Sequence, residues 1–478
     1  MTDASRATSP DFYRAPHPSA WAPMPYQYAG VEYALGRDHC LIGDEPGLGK
    51  TIQALLLDNT IKPERTLVVC PASLILNWER EIWRWSTKTN VSTYPVLTSK
   101  AGVNTKSDFA IMSYNMILNP SIRNALLDEM WDHVILDEAH KLKDPKGNKT
   151  TTTILARDGI QSRAGRVTML SGTILPNQPI EVYNAARLLN WDCIDRMSQE
   201  DFRNHYYSEG EGWSRAKVWD DEKGGYKFDL VWSRGVRNQP RNLRELQARL
   251  RKNIMVRRLK LQVLPQLPPK RWHFVPVQAD AAIRKALALP GWNEVAKLYE
   301  LDPGNFDGSI PIDGEVSTAR RELGEAKAPQ AAAYIAEILA EGVHKVVVGA
   351  WHKSVLEILR GKLEKFGLVY LDGTTSSRKK QAAVDSFNGD PAVRVILGQT
   401  AVLGEGWTLA VASDVVNAEP DWVPGKNEQL IDRVHRIGQE ADSVTGHMLV
   451  VPDTIDERIL ASVIKKDLHI HETLDAQD

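Results

Sequence analysis

The chain has 478 residues, 42% hydrophobic and 25% charged, with a formal net charge of −2. Its length exceeds what one hydrophobic core serves, so two or three domains are expected, and so ordinary a composition excludes a disordered or fibrous chain. A charge near zero argues against a surface that coats nucleic acid throughout, while leaving room for a local basic groove. Cys40, Cys70 and Cys193 are odd in number and scattered. That usage fits a reducing compartment and offers neither a disulfide framework nor a zinc site. No apolar run reaches the roughly 20 residues that span a bilayer, and "MTDASRATSP" lacks the apolar core of a signal peptide. An intracellular, soluble protein of cytoplasm or nucleus is expected, with no membrane partner.

Residues 1–20, rich in Ser, Pro and Ala, read as a flexible arm. Next comes "LIGDEPGLGKTIQALLL" (41–57), a glycine-punctuated turn between apolar stretches. Gly47 and Gly49 allow the backbone to curl until its N–H groups converge at a helix N-terminus, which favours a phosphate. Lys50 would meet the outer phosphates and the Thr51 hydroxyl would meet Mg²⁺. The pattern G-x-x-x-x-G-K-[ST] is broken at its first position by Asp44, so the stretch alone fits either a phosphate cradle or an ordinary helix-start turn.

"TLVVC" (66–70), "FAIMS" (109–113), "HVILDEAH" (133–140) and "VTMLSGT" (167–173) have strand length, and helix-length spacers separate them. Continuous apolar runs of this kind predict buried parallel strands in βαβ units. A strand ending in Asp137 and Glu138 puts both acids at the sheet's carboxyl edge, where open α/β sheets bind ligands. There one carboxylate can hold Mg²⁺ and the other can polarise a water for attack on a γ-phosphate. Residues 191–250, with Trp191, Trp213, Trp219 and Trp232, read as an irregular or helical insertion. "VLPQLPPKRW" (263–272) reads as a connector.

A second interruption spans 290–325, and the strand rhythm returns in "KVVVGAW" (345–351), "LVYLDGT" (368–374), "VRVILGQT" (393–400) and "SDVVNAE" (413–419). In "EQLIDRVHRIGQ" (428–439), a helix would place Arg433 and Arg436 on one face. That face fits an arginine finger reaching across a cleft, or a solvated basic surface. His133, His140, His435, His469 and His471 have no cysteine pairing of metal-site type.

Taken in order, "MPYQ" (24–27), "DEPGLGKT", "VVCPASLILNWERE" (68–81), "DEAH", "LSGT" (170–173), "LDGTTS" (371–376), "GEGWTLAVASDVV" (404–416) and "DRVHRIGQ" (432–439) resemble the motif series of superfamily 2 helicase-like ATPases. The "RIGQ" ending, "DWVPGKNEQ" before it and "VRRLKLQVLPQLPPKR" (256–271) are similar to the Swi/Snf family of double-stranded-DNA translocases, and within it to the annealing-helicase branch. The resemblance covers about residues 22–460. It implies an α/β fold of two RecA-like lobes with parallel sheets flanked by helices, bounded as lobe 1 at 21–262, a linker at 263–270 and lobe 2 at 271–478.

The resemblance further implies a role for each matching position. Gln27 would read the adenine of ATP; Gly47, Gly49, Lys50 and Thr51 would hold its phosphates and Mg²⁺. Asp137 and Glu138 would serve as metal ligand and water activator, and Gly406, Arg433 and Arg436 would complete the site from the second lobe. Ser171 and Thr173 would couple nucleotide state to DNA grip. Ser73, Asn77, Thr374, Thr375 and Thr400 would touch DNA phosphates, which suits a motor indifferent to base sequence. Glu405 and Trp407 depart from the small residues usual after that glycine, and no chromatin-reader or zinc module is recognised.

The implied activity is a DNA-dependent ATPase that moves along duplex DNA as a monomer, remodelling or reannealing DNA or displacing bound proteins, with any recruiting protein unidentified. The alternatives are a strand-separating helicase or restriction-type motor subunit, and a nucleotide-gated DNA clamp without turnover.

Overall fold

Two parallel sheets organise the chain. The computed structural model describes all residues except 1–3, 99, 101, 144–148, 156–157, 173–178, 221–224, 290–313, 405, 422–423, 453, 455, 458–473 and 476–478. The first sheet contains β1 (His39–Ile42), β2 (Thr66–Cys70), β3 (Thr93–Pro95), β4 (Phe109–Ser113), β5 (Trp131–Asp137), β6 (Ala164–Leu170) and β9 (Met255–Val256), in the order β3-β4-β2-β5-β6-β1-β9. The second contains β10 (Lys270–Pro276), β11 (Val346–Ala350), β12 (Leu368–Leu371), β13 (Val395–Gln399), β14 (Asp414–Asn417) and β15 (Val444–Val450), ordered β10-β15-β14-β11-β13-β12. Between β6 and β9 in sequence lies an antiparallel hairpin of β7 (Tyr207–Asp220) and β8 (Gly225–Pro240).

The strands form where continuous apolar runs predict them. "TLVVC" and "FAIMS" coincide with β2 and β4, and both are buried at every position. Period-2 alternation sends Leu67 and Val69 into one core layer and Val68 and Cys70 into the other. In β11, Val346 and Val348 likewise separate from Val347. Each fully buried Val or Leu contributes about 2 kcal/mol of transfer free energy, so these strands must be covered by helices on both faces. Two lobes of RecA-like type result.

The strand order is what builds the site. Because β5, β6 and β1 are neighbours, the turn after Ile42, the acids ending β5 and Ser171 beyond β6 meet at one carboxyl edge. About 130 residues of sequence collapse there to adjacent strand ends.

Three regions differ from the sequence expectation. Within 191–250 the flanks are helical, at Gln199–Tyr206 and Leu243–Asn253, but residues 207–220 and 225–240 pair as a long hairpin. The signal lay in "YKFDLVW", where Tyr226, Phe228, Leu230 and Trp232 alternate with other residues. Arg433 and Arg436 are not on a helix, since the helix Pro424–Ile431 ends first and they occupy the turns that follow. The N-terminal segment, expected to be loose, makes defined contacts: Arg257 N donates to Ser5 O at 3.1 Å and Tyr13 OH to Thr60 Oγ1 at 3.0 Å. Most of the expected 290–325 interruption lies outside the described residues, and from Gly314 a helix runs to Ala340. No described helix is long and apolar enough to cross a membrane.

Candidate functional site

The turn between β1 and the helix Lys50–Ile61 is built by backbone conformation. Gly47 and Gly49 have φ of +92° and +71°, a region that costs other residues steric strain. At Gly49 there is also no room, because a Cβ would lie 2.4 Å from Gln27 Nε2. Gln27 is buried behind the turn, its Nε2 donating to Leu48 O at 3.3 Å and its Oε1 accepting from Met24 N at 2.9 Å. Lys50 Nζ donates to Asp44 O at 2.9 Å and to Glu45 O at 3.3 Å, so the ammonium bends back over the turn. Burial lowers its pKa to about 8, against the raising influence of Glu138, Asp44 and Asp137.

Asp44, the residue that breaks the phosphate-loop pattern, has a structural reason to be there. It is fully buried, and its carboxylate accepts from Arg258 Nε at 2.9 Å, from Arg258 Nη2 at 2.7 Å and from Gln53 Nε2 at 2.8 Å. Arg258 is itself fully buried and follows β9, 214 residues away in sequence. No spacing rule could have found that pair.

At the end of β5, Asp137 is fixed by Trp78 Nε1 at 2.8 Å and by the Glu138 amide at 2.9 Å. Burial, then the charge of Glu138, raises its pKa above the usual carboxylate range. Burial acts upward on Glu138 too, but the His140 hydrogen bond and charge, with Arg433 and Lys50, outweigh it and keep Glu138 ionised. His140 Nδ1 stands 3.2 Å from Glu138 Oε2 and 3.4 Å from Ser171 Oγ, so one imidazole links the acid to the buried serine. Thr173, its expected partner, lies outside the described residues.

The second lobe closes the opposite wall. Arg436 packs on the glycine turn, and a Cβ at Gly47 would lie 3.0 Å from its Cγ. Its Nε donates to Asp432 O at 2.9 Å and its Nη1 to Thr408 Oγ1 at 3.3 Å. Burial and the neighbouring Arg433 charge lower its pKa. Gly406 approaches the first lobe so closely that a Cβ there would meet Leu74 Cδ2 at 2.1 Å. The resulting cleft, about 270 Å³, is lined by Gly47, Gly49, Lys50, Thr51, Asp137 and Glu138 on one side and by Gly406, Thr408, Arg433 and Arg436 on the other.

The five residues expected at DNA come from both lobes, and the loops that carry Thr374 and Thr400 touch, Gly373 N donating to Gln399 Oε1 at 3.0 Å. Ser73 is buried where the turn Ala72–Leu74 meets the second-lobe helix Ser377–Gly389, and Thr400 is buried at the end of β13. Asn77 lines the nucleotide-sized cleft itself. The Thr374 and Thr375 hydroxyls donate to Asp372 Oδ1 at 2.7 and 3.0 Å. Trp407 is a core residue, 4% exposed, with Nε1 donating to Val402 O at 3.0 Å, and Glu405 lies outside the described residues. Among the described residues no cluster of His, Cys, Asp and Glu could hold a metal ion by itself.

A cleft with a lysine-bearing phosphate turn and paired acids on one wall, and two arginines on the other, defines a helicase-like ATPase. The model of the SNF2-related domain matches residues 26–294, and that of the helicase conserved C-terminal domain matches 330–438. The chain belongs to the SNF2-related family. It is 30% identical over 444 residues to the human DNA annealing helicase and endonuclease ZRANB3, covering 91% of this chain and 38% of that protein. It is also 30% identical over 449 residues to the Xenopus tropicalis SWI/SNF-related matrix-associated actin-dependent regulator of chromatin subfamily A-like protein 1, covering 93% and 44%. This chain thus spans less than half the length of either relative. The Sulfolobus solfataricus SWI2/SNF2 ATPase core in complex with dsDNA aligns over 96% of this chain and 98% of its own, with 19% identity and a TM-score of 0.42.

Proposed function

We propose that the protein is a duplex-DNA translocase driven by ATP hydrolysis in the inter-lobe cleft. The observation that carries this reading is that residues of both lobes line one cleft. Chemistry placed there is sensitive to how the lobes sit, and a change of lobe position is how such a cycle does work.

In this reading Lys50 and the backbone of Gly47 and Gly49 bind the phosphates of ATP. Thr51 and Asp137 offer an oxygen pair that fits Mg²⁺, a hard cation that would offset phosphate charge. Glu138, kept ionised, orients the attacking water and accepts its proton. Arg433 and Arg436 stabilise charge that develops as the γ-phosphoryl group transfers. Gln27 supports the adenine pocket from behind the turn, while Gly406 allows the second lobe's close approach. Ser171, linked to Glu138 through His140, and Thr173 couple the cleft to DNA. Ser73, Asn77, Thr374, Thr375 and Thr400 face DNA once the lobes rearrange around it, giving contacts to phosphate and not to bases. The name of the relative ZRANB3 adds DNA annealing as an outcome such movement would serve.

The test is ATP turnover with no nucleic acid, single-stranded DNA, duplex and forked DNA in parallel, together with displacement of a third strand from a triplex. The expected result is the strongest stimulation by duplex, salt-sensitive binding without base preference, and triplex displacement. Efficient unwinding of a tailed duplex without duplex stimulation would assign a strand-separating helicase instead. Nucleotide binding with no turnover on any DNA would assign a clamp.

A further inference from the structure

The segment joining the lobes does more than span them. Lys260, in the short helix Lys260–Val263 that leaves the first lobe, is buried at 3% exposure. Its Nζ donates to Asp432 Oδ1 at 2.8 Å, to His435 O at 2.7 Å and to His435 Nδ1 at 3.3 Å. All three acceptors belong to the turn that carries Arg433 and Arg436. The other end of the same residue is tied to the phosphate turn: its backbone N–H donates to the Glu45 carboxylate, and its Cε lies 3.5 Å from where a Gly47 Cβ would be.

Further along the connector, His435 Nε2 meets Pro268 O at 2.8 Å, which assigns the proton to Nε2 and leaves Nδ1 to accept from Lys260. Lys270 then contacts Glu428 and, at 3.5 Å, Asp432. A buried ammonium is costly unless several acceptors satisfy it. Here every acceptor comes from one turn of the opposite lobe, and the hydrogen bonds fix that turn's rotation as well as its distance.

We propose that Lys260 is a positioning residue for ATP hydrolysis, holding the turn Asp432–Arg436 against the phosphate turn so that Arg436 is aimed at the γ-phosphate. It touches no substrate and acts through Arg436. This rests on the proposed ATPase reading, and the experiment separates the two.

The test is a double-mutant cycle on the full chain with duplex DNA, using Lys260→Met, Arg436→Ala and both together. Lys260→Met is expected to lower kcat about 10- to 100-fold while the Kd for a fluorescent ATP analogue stays within about threefold. The double variant is expected to be no slower than Arg436→Ala, because a residue acting only through Arg436 has nothing further to remove. A merely structural lysine would give multiplicative losses, or a loss of nucleotide binding that parallels kcat. Either result overturns the proposal, as does wild-type turnover by Lys260→Met beside a slow Arg436→Ala. Wild-type turnover by Arg436→Ala would instead overturn the arginine role itself, and this proposal with it. Should thermal unfolding show that Lys260→Met has lost its fold, Lys260→Met/Asp432→Asn removes both charges of the pair and carries the same kinetic expectation.

Discussion

The two walls of the cleft are made by different physics. On the first lobe, Lys50 and the acid pair are placed by local geometry: two glycines at positive φ, a helix N-terminus and the end of a buried strand. On the second lobe, Arg433 and Arg436 sit in turns beyond a helix end, and those turns are hydrogen-bonded to Lys260 and Pro268 of the connector, 172 and 167 residues away in sequence. The first wall also leans on distant residues, Arg258 on Asp44 and Trp78 on Asp137, but these belong to its own sheet's side of the cleft, whereas the second wall is tied to the connector between the sheets.

The largest expected effect lies on the locally built wall. Glu138→Gln should bind ATP normally and hydrolyse it about a thousandfold more slowly, since only proton acceptance from water is removed; rapid-quench turnover beside analogue binding measures both. Lys50→Ala should instead lose the binding step.

Next is a change that repairs the phosphate-loop pattern. Asp44→Gly should destabilise the chain by roughly 3–5 kcal/mol, because it strands the buried Arg258 guanidinium. Thermal unfolding tests this, and a higher Tm would show that the first wall is purely a matter of loop geometry.

On the charge-built wall, pH supplies the probe. Burial, then the Lys260 charge, holds the His435 pKa at about 4, below the ordinary value of about 6.5. As pH falls below 6.5 the unfolded chain takes a proton that the folded chain refuses until about pH 4, so stability drops through that window. At pH 5 the loss from this residue is about 2 kcal/mol, and the difference in stability between pH 7 and pH 5 should shrink by that much in His435→Gln. The smallest effect is that of Gly49→Ala, about 1–2 kcal/mol of backbone strain, with weaker nucleotide binding as Gln27 is displaced; calorimetry reads both.

Legibility in the sequence follows the same divide. The runs that became β2, β4, β5, β6 and β11 to β14 were readable because burial on both faces demands continuous apolar residues. The strands β1, β3 and β9 are only two to four residues long and the edge strand β10 opens on charged residues, so none stands out, and β9 exists only as two residues paired to β1. That Lys50, Asp137 and Glu138 would lie at strand and helix ends was legible because a glycine turn and the end of an apolar run are local signals, and all three line one cleft. Asp44 appeared as a defect in a pattern until Arg258 supplied its partner, and the segment around Lys260 showed only a family resemblance, because the Asp432 and His435 acceptors lie 172 and 175 residues away. Helical spacing also misled at Arg433 and Arg436. The Nε of each donates to the carbonyl four residues earlier, Gln429 O and Asp432 O, and Arg436 Nη1 also reaches Thr408 Oγ1, in turns that helical periodicity does not describe.

The central claim is that the second lobe contributes to the chemical step and not to nucleotide binding. Single-turnover ATP hydrolysis by the full-length Arg436→Ala protein with saturating duplex DNA, beside equilibrium binding of a fluorescent ATP analogue, tests it most directly. The account predicts hydrolysis slowed about a thousandfold, as for loss of an arginine finger, with Kd changed less than about threefold. Hydrolysis at the wild-type rate, or a loss of binding that matches the loss of rate, would contradict it.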